Sequence, residues 1–137
     1  LRELGRLTTR VVAVSTGAVY DNTQPMPINE DCLLINVGSP YAQSKIAMEQ
    51  ALSEHRDSGL DVIIARPFNH IGPGQLGGFL VPDLIEKLNS LGPSKELSIG
   101  RLDTKRDYTD VRDVVCAYRL LATTKHLNSS LYNICTG

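Results

Sequence analysis

Apolar residues along the chain follow two rhythms: short unbroken runs, and stretches where they recur every three or four positions. Residues 11–15, Val-Val-Ala-Val-Ser, form a compact β-branched run that stops at Thr16-Gly17, the pattern of a buried strand. From Asp21 to about Val37 the chain is polar, and Pro25 and Pro27 exclude regular structure. Ser39 then offers an N-cap and Pro40 a first helical residue, so a helix is expected over 40–56, ended by Gly59. Ile46, Ala47, Ala51 and Leu52 are its expected buried positions.

A second unbroken run, LDVIIA at 60–65, predicts another strand. The stretch 66–78 is a Pro- and Gly-rich loop. The pattern then gives a helix over 81–91 and a short strand at 97–99. A further helix covers 110–123, burying Val114, Ala117, Tyr118 and Leu121, and a last strand covers 131–135.

Strand, helix, strand in this order implies parallel pairing with a right-handed crossover. The expected fold class is therefore α/β, part of a doubly wound parallel sheet. Run 11–14 is apolar throughout, as a strand with neighbours on both edges should be, yet only 60–65 is evident as a neighbour. No G-x-G-x-x-G turn follows any strand; Gly72, Gly74, Gly77 and Gly78 have the wrong spacing.

Composition narrows this picture. The chain has 137 residues, 42% hydrophobic and 21% charged, with a formal net charge of −1 and no cluster of Lys or Arg. That balance fits one modest globular domain and argues against nucleic-acid or membrane-surface binding. The longest apolar runs are too short to span a bilayer. Cys32, Cys116 and Cys135 are odd in number and lack CxxC spacing, so reduced, largely buried thiols are expected, with no metal site. Reduced thiols and the lack of a visible secretory signal point to the cytoplasm. The Asn128-Ser129-Ser130 sequon is read as a chance occurrence.

Candidate chemistry begins with Tyr41 and Lys45, four residues apart and so on one helix face. A phenol is a poor acid or base near neutral pH unless its anion is stabilised, and a neighbouring ammonium provides that stabilisation. At the end of the first strand, Ser15 and Thr16 present hydroxyls toward the same sheet edge, where ligands bind in open α/β sheets. The second strand runs into Arg66-Pro67-Phe68-Asn69, and Arg106-Asp107-Tyr108-Thr109-Asp110 precedes a helix. His70 reads as a loop residue bonded to backbone, and His55 and His126 as solvated. Arg101, Asp103 and Lys105 read as a solvated loop. No G-x-S-x-G elbow marks a hydrolase.

Four patterns thus stand in order: Thr16 four before Tyr20, Tyr41-x-x-x-Lys45, Arg66-x-Phe68-Asn69, and Arg106-Asp107-Tyr108-x-Asp110-Val111. Together they resemble the extended short-chain dehydrogenase/reductase family over residues 9–137. Its members are NAD(P)-dependent epimerases, dehydratases and reductases of sugar nucleotides. The stretches ARPFNHIGPGQ, RDYTDVRDVVCAY and YNICTG are most similar to the branch that reduces GDP-4-keto-6-deoxy-hexoses.

The resemblance implies a Rossmann-like sheet built from 1–72 and 110–137, with 73–109 belonging to a substrate lobe. It implies that Thr16 hydrogen-bonds the sugar oxygen at C4, that Tyr41 is the acid or base for that oxygen, and that Lys45 holds the nicotinamide ribose. Ser15 and Pro67 would lie beside the cofactor, NAD or NADP. Asn69 would contact the nucleotide sugar, and Arg106 its diphosphate. A homodimer through the helix over 40–56 is expected. The family's dehydratases carry acidic residues just after the catalytic Thr; Gly17 and Ala18 stand here, which disfavours dehydration. Reduction at C4 and 4-epimerisation both remain open, as does a non-catalytic sugar-nucleotide-binding or oligomerisation role. Without the Gly-rich turn, the chain is expected to be a partial domain that binds dinucleotide poorly.

Overall fold

A computed structural model describes residues 9–35, 37–92, 96–101 and 103–137. Its strands are β1 (Val11–Val14), β2 (Val62–Pro67), β3 (Asn69–Ile71), β4 (Tyr108–Asp110) and β5 (Leu131–Ile134). Its helices are α1 (Pro40–Asp57), α2 (Leu80–Asn89) and α3 (Val111–Thr123), and Gly17–Val19 form a 3-10 turn.

The main sheet has order β1-β2-β5 and is parallel throughout, with Val14 opposite Ala65 and Pro67 opposite Ile134. β2 is central and buried along its whole length, which explains its unbroken apolar run. Alternate β2 side chains face opposite sides of the sheet. Ile63 and Ala65 pack with Leu121 of α3, while Arg66 faces Glu49 of α1. The two helices therefore cover opposite faces, the doubly wound arrangement expected of a Rossmann-like α/β fold. Val19, Tyr20 and Ile46 form a second core, joined by Phe68, Leu34 and Ile35.

α1 starts where the sequence predicts. Ser39 Oγ accepts from the Ala42 N–H at 3.2 Å and Pro40 opens the helix. Gly59, at φ 93°, closes it in the left-handed region, donating to the Arg56 carbonyl at 2.8 Å. Two of its expected core positions do not hold: Ala47 and Ala51 are exposed, and Ala42 and Glu49 are buried instead with Ile46. The cause is rotational, since Glu49 turns inward to pair with Arg66 and carries the two alanines out.

Three further differences stand out. Residues 97–99 form no strand, because a three-residue run gains nothing without a partner to pair with. Conversely, β3 and β4 pair in parallel, Asn69 opposite Tyr108, within stretches that read as loop. This small sheet is tied closely to the main one. Phe68 alone separates β2 from β3, and Asp110 both ends β4 and caps α3, its carboxylate accepting from the Arg112 N–H at 2.8 Å. Finally, the thiols are not largely buried: Cys32 is half-buried, while Cys116 and Cys135 are exposed. All three are free.

Candidate active site

At the C-terminal end of β1 the chain leaves the sheet through Ser15 and Thr16. The Ser15 N–H donates to Ala65 O at 2.7 Å, extending the ladder one residue beyond the strand. Its side chain is buried, and Oγ has no hydrogen-bond partner among the described residues. Thr16 Oγ1 accepts from the Ala18 N–H at 3.2 Å and so caps the 3-10 turn, leaving its own hydroxyl hydrogen free to donate. Gly17 packs closely on its neighbour: a Cβ there would lie 3.0 Å from the Phe68 ring, which would have to shift slightly to admit it.

The N-cap at Ser39 places Tyr41 in the first turn of α1 and Lys45 one turn later. Lys45 Nζ donates to Val14 O at 2.9 Å and sits 5.8 Å from the centre of the Tyr41 ring. Tyr41 is 55% exposed. Burial pushes the Tyr118 phenol of α3 above its ordinary range, and the nearby Tyr41 adds to that shift. Ser15, Thr16, Tyr41 and Lys45 are thus gathered around the end of one strand. Pro67 is buried at the end of the adjacent strand.

Asn69 opens β3 of the small sheet, and Arg106 lies two residues before β4. Both are exposed, and the β3–β4 register places Asn69 opposite Tyr108, two residues from Arg106. Arg106 Nη1 donates to the Lys105 carbonyl at 2.8 Å. Beyond β3 a cavity of about 360 Å³ is lined by Ile71, Gly72, Gln75, Val81, Ile85 and Asp110. None of Thr16, Tyr41 or Lys45 lines it. His70 Nδ1 lies 3.1 Å from the Phe68 carbonyl, the backbone role the sequence suggests.

Two groups escape sequence reading. The first is a buried network around Arg66. Its Nε and Nη2 donate to the two carboxylate oxygens of Glu49 at 3.0 and 2.6 Å, and Nη1 donates to the Tyr20 hydroxyl at 2.8 Å. The Tyr20 hydroxyl in turn donates to Asn133 Oδ1 at 2.7 Å. Burial acts to lower the Arg66 pKa, but its bonds to Glu49 and Tyr20 push it above its ordinary value. Arg66 stands in the Arg66-x-Phe68-Asn69 pattern and Glu49 lies one helical turn beyond Lys45 on the same face, but neither position signals their pairing.

The second group is Asp107, whose carboxylate accepts from the Thr136 hydroxyl at 2.6 Å and from the Thr136 and Gly137 N–H groups at 3.1 and 3.2 Å. Partial burial acts to raise this carboxyl, yet these bonds hold it below the usual carboxylate range. Asp107 therefore anchors the segment carrying Arg106 to Thr136 and Gly137, just beyond β5.

A family model described as the NAD dependent epimerase/dehydratase family matches residues 1–135. The chain belongs to the NAD dependent epimerase/dehydratase family. Among relatives of this family member is the GDP-6-deoxy-D-mannose reductase of Pseudomonas aeruginosa, 37% identical over 131 residues, covering 90% of the chain and 42% of that protein. Another is the GDP-6-deoxy-D-talose 4-dehydrogenase of Aggregatibacter actinomycetemcomitans, 31% identical over 128 residues, covering 93% of the chain and 42% of that protein. A solved structure, RMD from Pseudomonas aeruginosa complexed with NADPH, superimposes with a TM-score of 0.77 at 34% identity, over 93% of the chain and 45% of its own. This epimerase/dehydratase chain thus spans less than half the length of the relatives it matches. Among the described residues no helix is long and apolar enough to cross a membrane.

Proposed function

We propose that the protein is an NAD(P)-dependent reductase acting at C4 of a GDP-4-keto-6-deoxy-hexose. The observation that carries this reading is Lys45 reaching the carbonyl that ends β1, with Tyr41 one turn away and Thr16 at the start of the adjacent turn. Both relatives described above are named for GDP-6-deoxy sugars.

The residues fit a nicotinamide dinucleotide. Lys45 uses one of its three donors on Val14, leaving two for a ribose diol. The buried Ser15 hydroxyl, beside the same strand end, has no partner among the described residues. Pro67, buried at the end of β2, backs the nicotinamide side of the site in this reading. The dinucleotide, when bound, supplies the hydride that adds to C4.

This chain's residues manage the oxygen. Thr16 donates to the C4 carbonyl oxygen and orients it. Tyr41 delivers the proton as the carbonyl becomes an alcohol, and the Lys45 ammonium offsets the charge left on the phenolate. Asn69, on the small sheet, and Arg106, two residues before its second strand, take the sugar and the diphosphate, the latter through charge-assisted bonds from an exposed guanidinium. In the same reading, 73–109 forms the substrate lobe, α1 mediates a homodimer, and the protein works in the cytoplasm.

The test uses the full-length protein with a GDP-4-keto-6-deoxy-hexose and NADPH or NADH, following loss of the reduced nicotinamide. Turnover that falls by about 10²–10⁴-fold in Tyr41→Phe supports the assignment. Undiminished turnover removes Tyr41 from the chemistry. Redox-neutral interconversion of C4 epimers would assign an epimerase instead.

A further inference from the structure

α1 is an 18-residue helix that buries only Ala42, Ile46 and Glu49. The apolar contacts of Ala42 and Ile46, with half-buried Met48 and Leu52, are non-directional and do not by themselves fix how far a helix slides or rotates over a sheet. Directional bonds must do so. Two such bonds lie near the candidate site: Lys45 to Val14, and the Glu49 carboxylate held by both arms of the Arg66 guanidinium, the latter buried on both sides. A planar fork on a carboxylate sets distance and rotation together.

Arg66 also holds the other half of the site. Its third nitrogen binds the Tyr20 hydroxyl, and its guanidinium carbon lies 4.8 Å above the Tyr20 ring. Tyr20 closes the 3-10 turn that begins at Thr16, through its N–H to Gly17 O at 3.3 Å. One buried side chain, adjacent in sequence to Pro67, therefore bonds the helix carrying Tyr41 and Lys45 and the turn carrying Thr16.

We propose that the Arg66–Glu49–Tyr20 network is the positioning device of the acid–base site, fixing the register of Tyr41 and Lys45 against Thr16. None of the three is a catalytic residue; each acts through a neighbour. The proposal rests on the functional reading above for its kinetic consequence, while its geometric content stands without that reading.

Buried ion pairs are often replaceable by apolar side chains with little loss of stability, so stability alone does not account for this one. Misplacement of a reacting group by about 1 Å costs on the order of 10²-fold in rate.

Two measurements test the proposal on the full-length protein. The first is the rate of Lys45 acetylation by a small anhydride, read by mass spectrometry against the exposed Lys87 and Lys125. In Glu49→Gln and Arg66→Lys this rate rises severalfold as Lys45 loses its hold on Val14. The second is steady-state kinetics, in which kcat falls about 10- to 100-fold while KM values change little. Arg56→Ala is the control. It removes a bond from the far end of α1 to Ser130, and both readouts stay at wild-type values.

Should the single variants fail to fold, Glu49→Leu/Arg66→Met is read by the same criteria. Unchanged Lys45 labelling in a folded variant overturns the proposal, as does unchanged kcat in an enzyme shown to be active. Failure of the double variant to fold also overturns it, because the network is then a stability element. If the wild type shows no reductase activity, the functional reading falls and the labelling result alone decides the positioning role.

Discussion

Lys45 Nζ donates to the carbonyl of Val14 at 2.9 Å, joining the middle of α1 to the last residue of β1. Removing that donor should cost little stability, about 0.5–1.5 kcal/mol. It should cost much more in turnover. Lys45→Met is expected to leave the thermal midpoint within a few degrees of wild type while lowering kcat/KM by about 10²-fold or more. Lys45→Arg should not restore it, since a planar fork does not reproduce a compact ammonium. Thermal denaturation and steady-state kinetics on the same preparations check both statements.

Gly72 is a steric requirement. A Cβ at this position would lie 2.3 Å from Val111 Cγ1 and 3.0 Å from its Cβ, and Val111 is the first residue of α3, with a branched side chain and little room to turn. Gly72→Ala should therefore destabilise by about 1–3 kcal/mol in urea denaturation. Adding Val111→Ala should recover most of the overpacking loss. If Gly72→Ala alone is neutral, the close approach of β3 to α3 is wrong.

The Arg66–Glu49 pair makes a prediction about sign. Both side chains are under 10% exposed, at 5% and 7%, so deleting one partner strands a buried charge. Arg66→Met or Glu49→Leu alone should cost about 3–5 kcal/mol, and the double change should return to within about 1 kcal/mol of wild type. A double-mutant cycle by chemical denaturation reads the coupling directly.

Asp107 sets an acid limit on the C-terminal clasp. Its folded-state carboxyl is held below the ordinary value by Thr136 and Gly137, so its contribution is fully present above the unfolded pKa of about 3.9 and is lost as pH falls through the depressed folded value. Amide exchange at Thr136 and Gly137, corrected for intrinsic rates, should lose protection in that acid window. Asp107→Asn should show weak protection that no longer varies there. Equal pH dependence in the two proteins would contradict the assignment.

The sequence made the main sheet visible because β1 and β2 are unbroken apolar runs, and α1 visible because Ser39, Pro40 and Gly59 mark its ends. β3 and β4 were hidden: Asn-His-Ile and Tyr-Thr-Asp carry no strand pattern, and only their pairing makes them strands. The rotation of α1 was hidden for a related reason. Hydrophobic periodicity assigned Ala47 and Ala51 to the core, but a charge pair decided the inner face, and a periodic pattern gives charged residues no inward preference. In the candidate site, Tyr41 and Lys45 announce themselves by spacing. Arg66 and Glu49 do not, because their partnership exists only once β2 and α1 are laid side by side.

The connections of the small sheet have a mechanical consequence. A single residue, Phe68, leads into β3 and none separates β4 from α3, so neither junction contains a hinge. Phe68 is further pinned against Gly17 and stacked beside Tyr20, with ring centres 6.1 Å apart. The strand bearing Asn69 is therefore joined to the main sheet without an intervening loop. Asn69 thus keeps a fixed place beyond the end of β2, set on one side by the Phe68 contacts and on the other by its pairing with Tyr108.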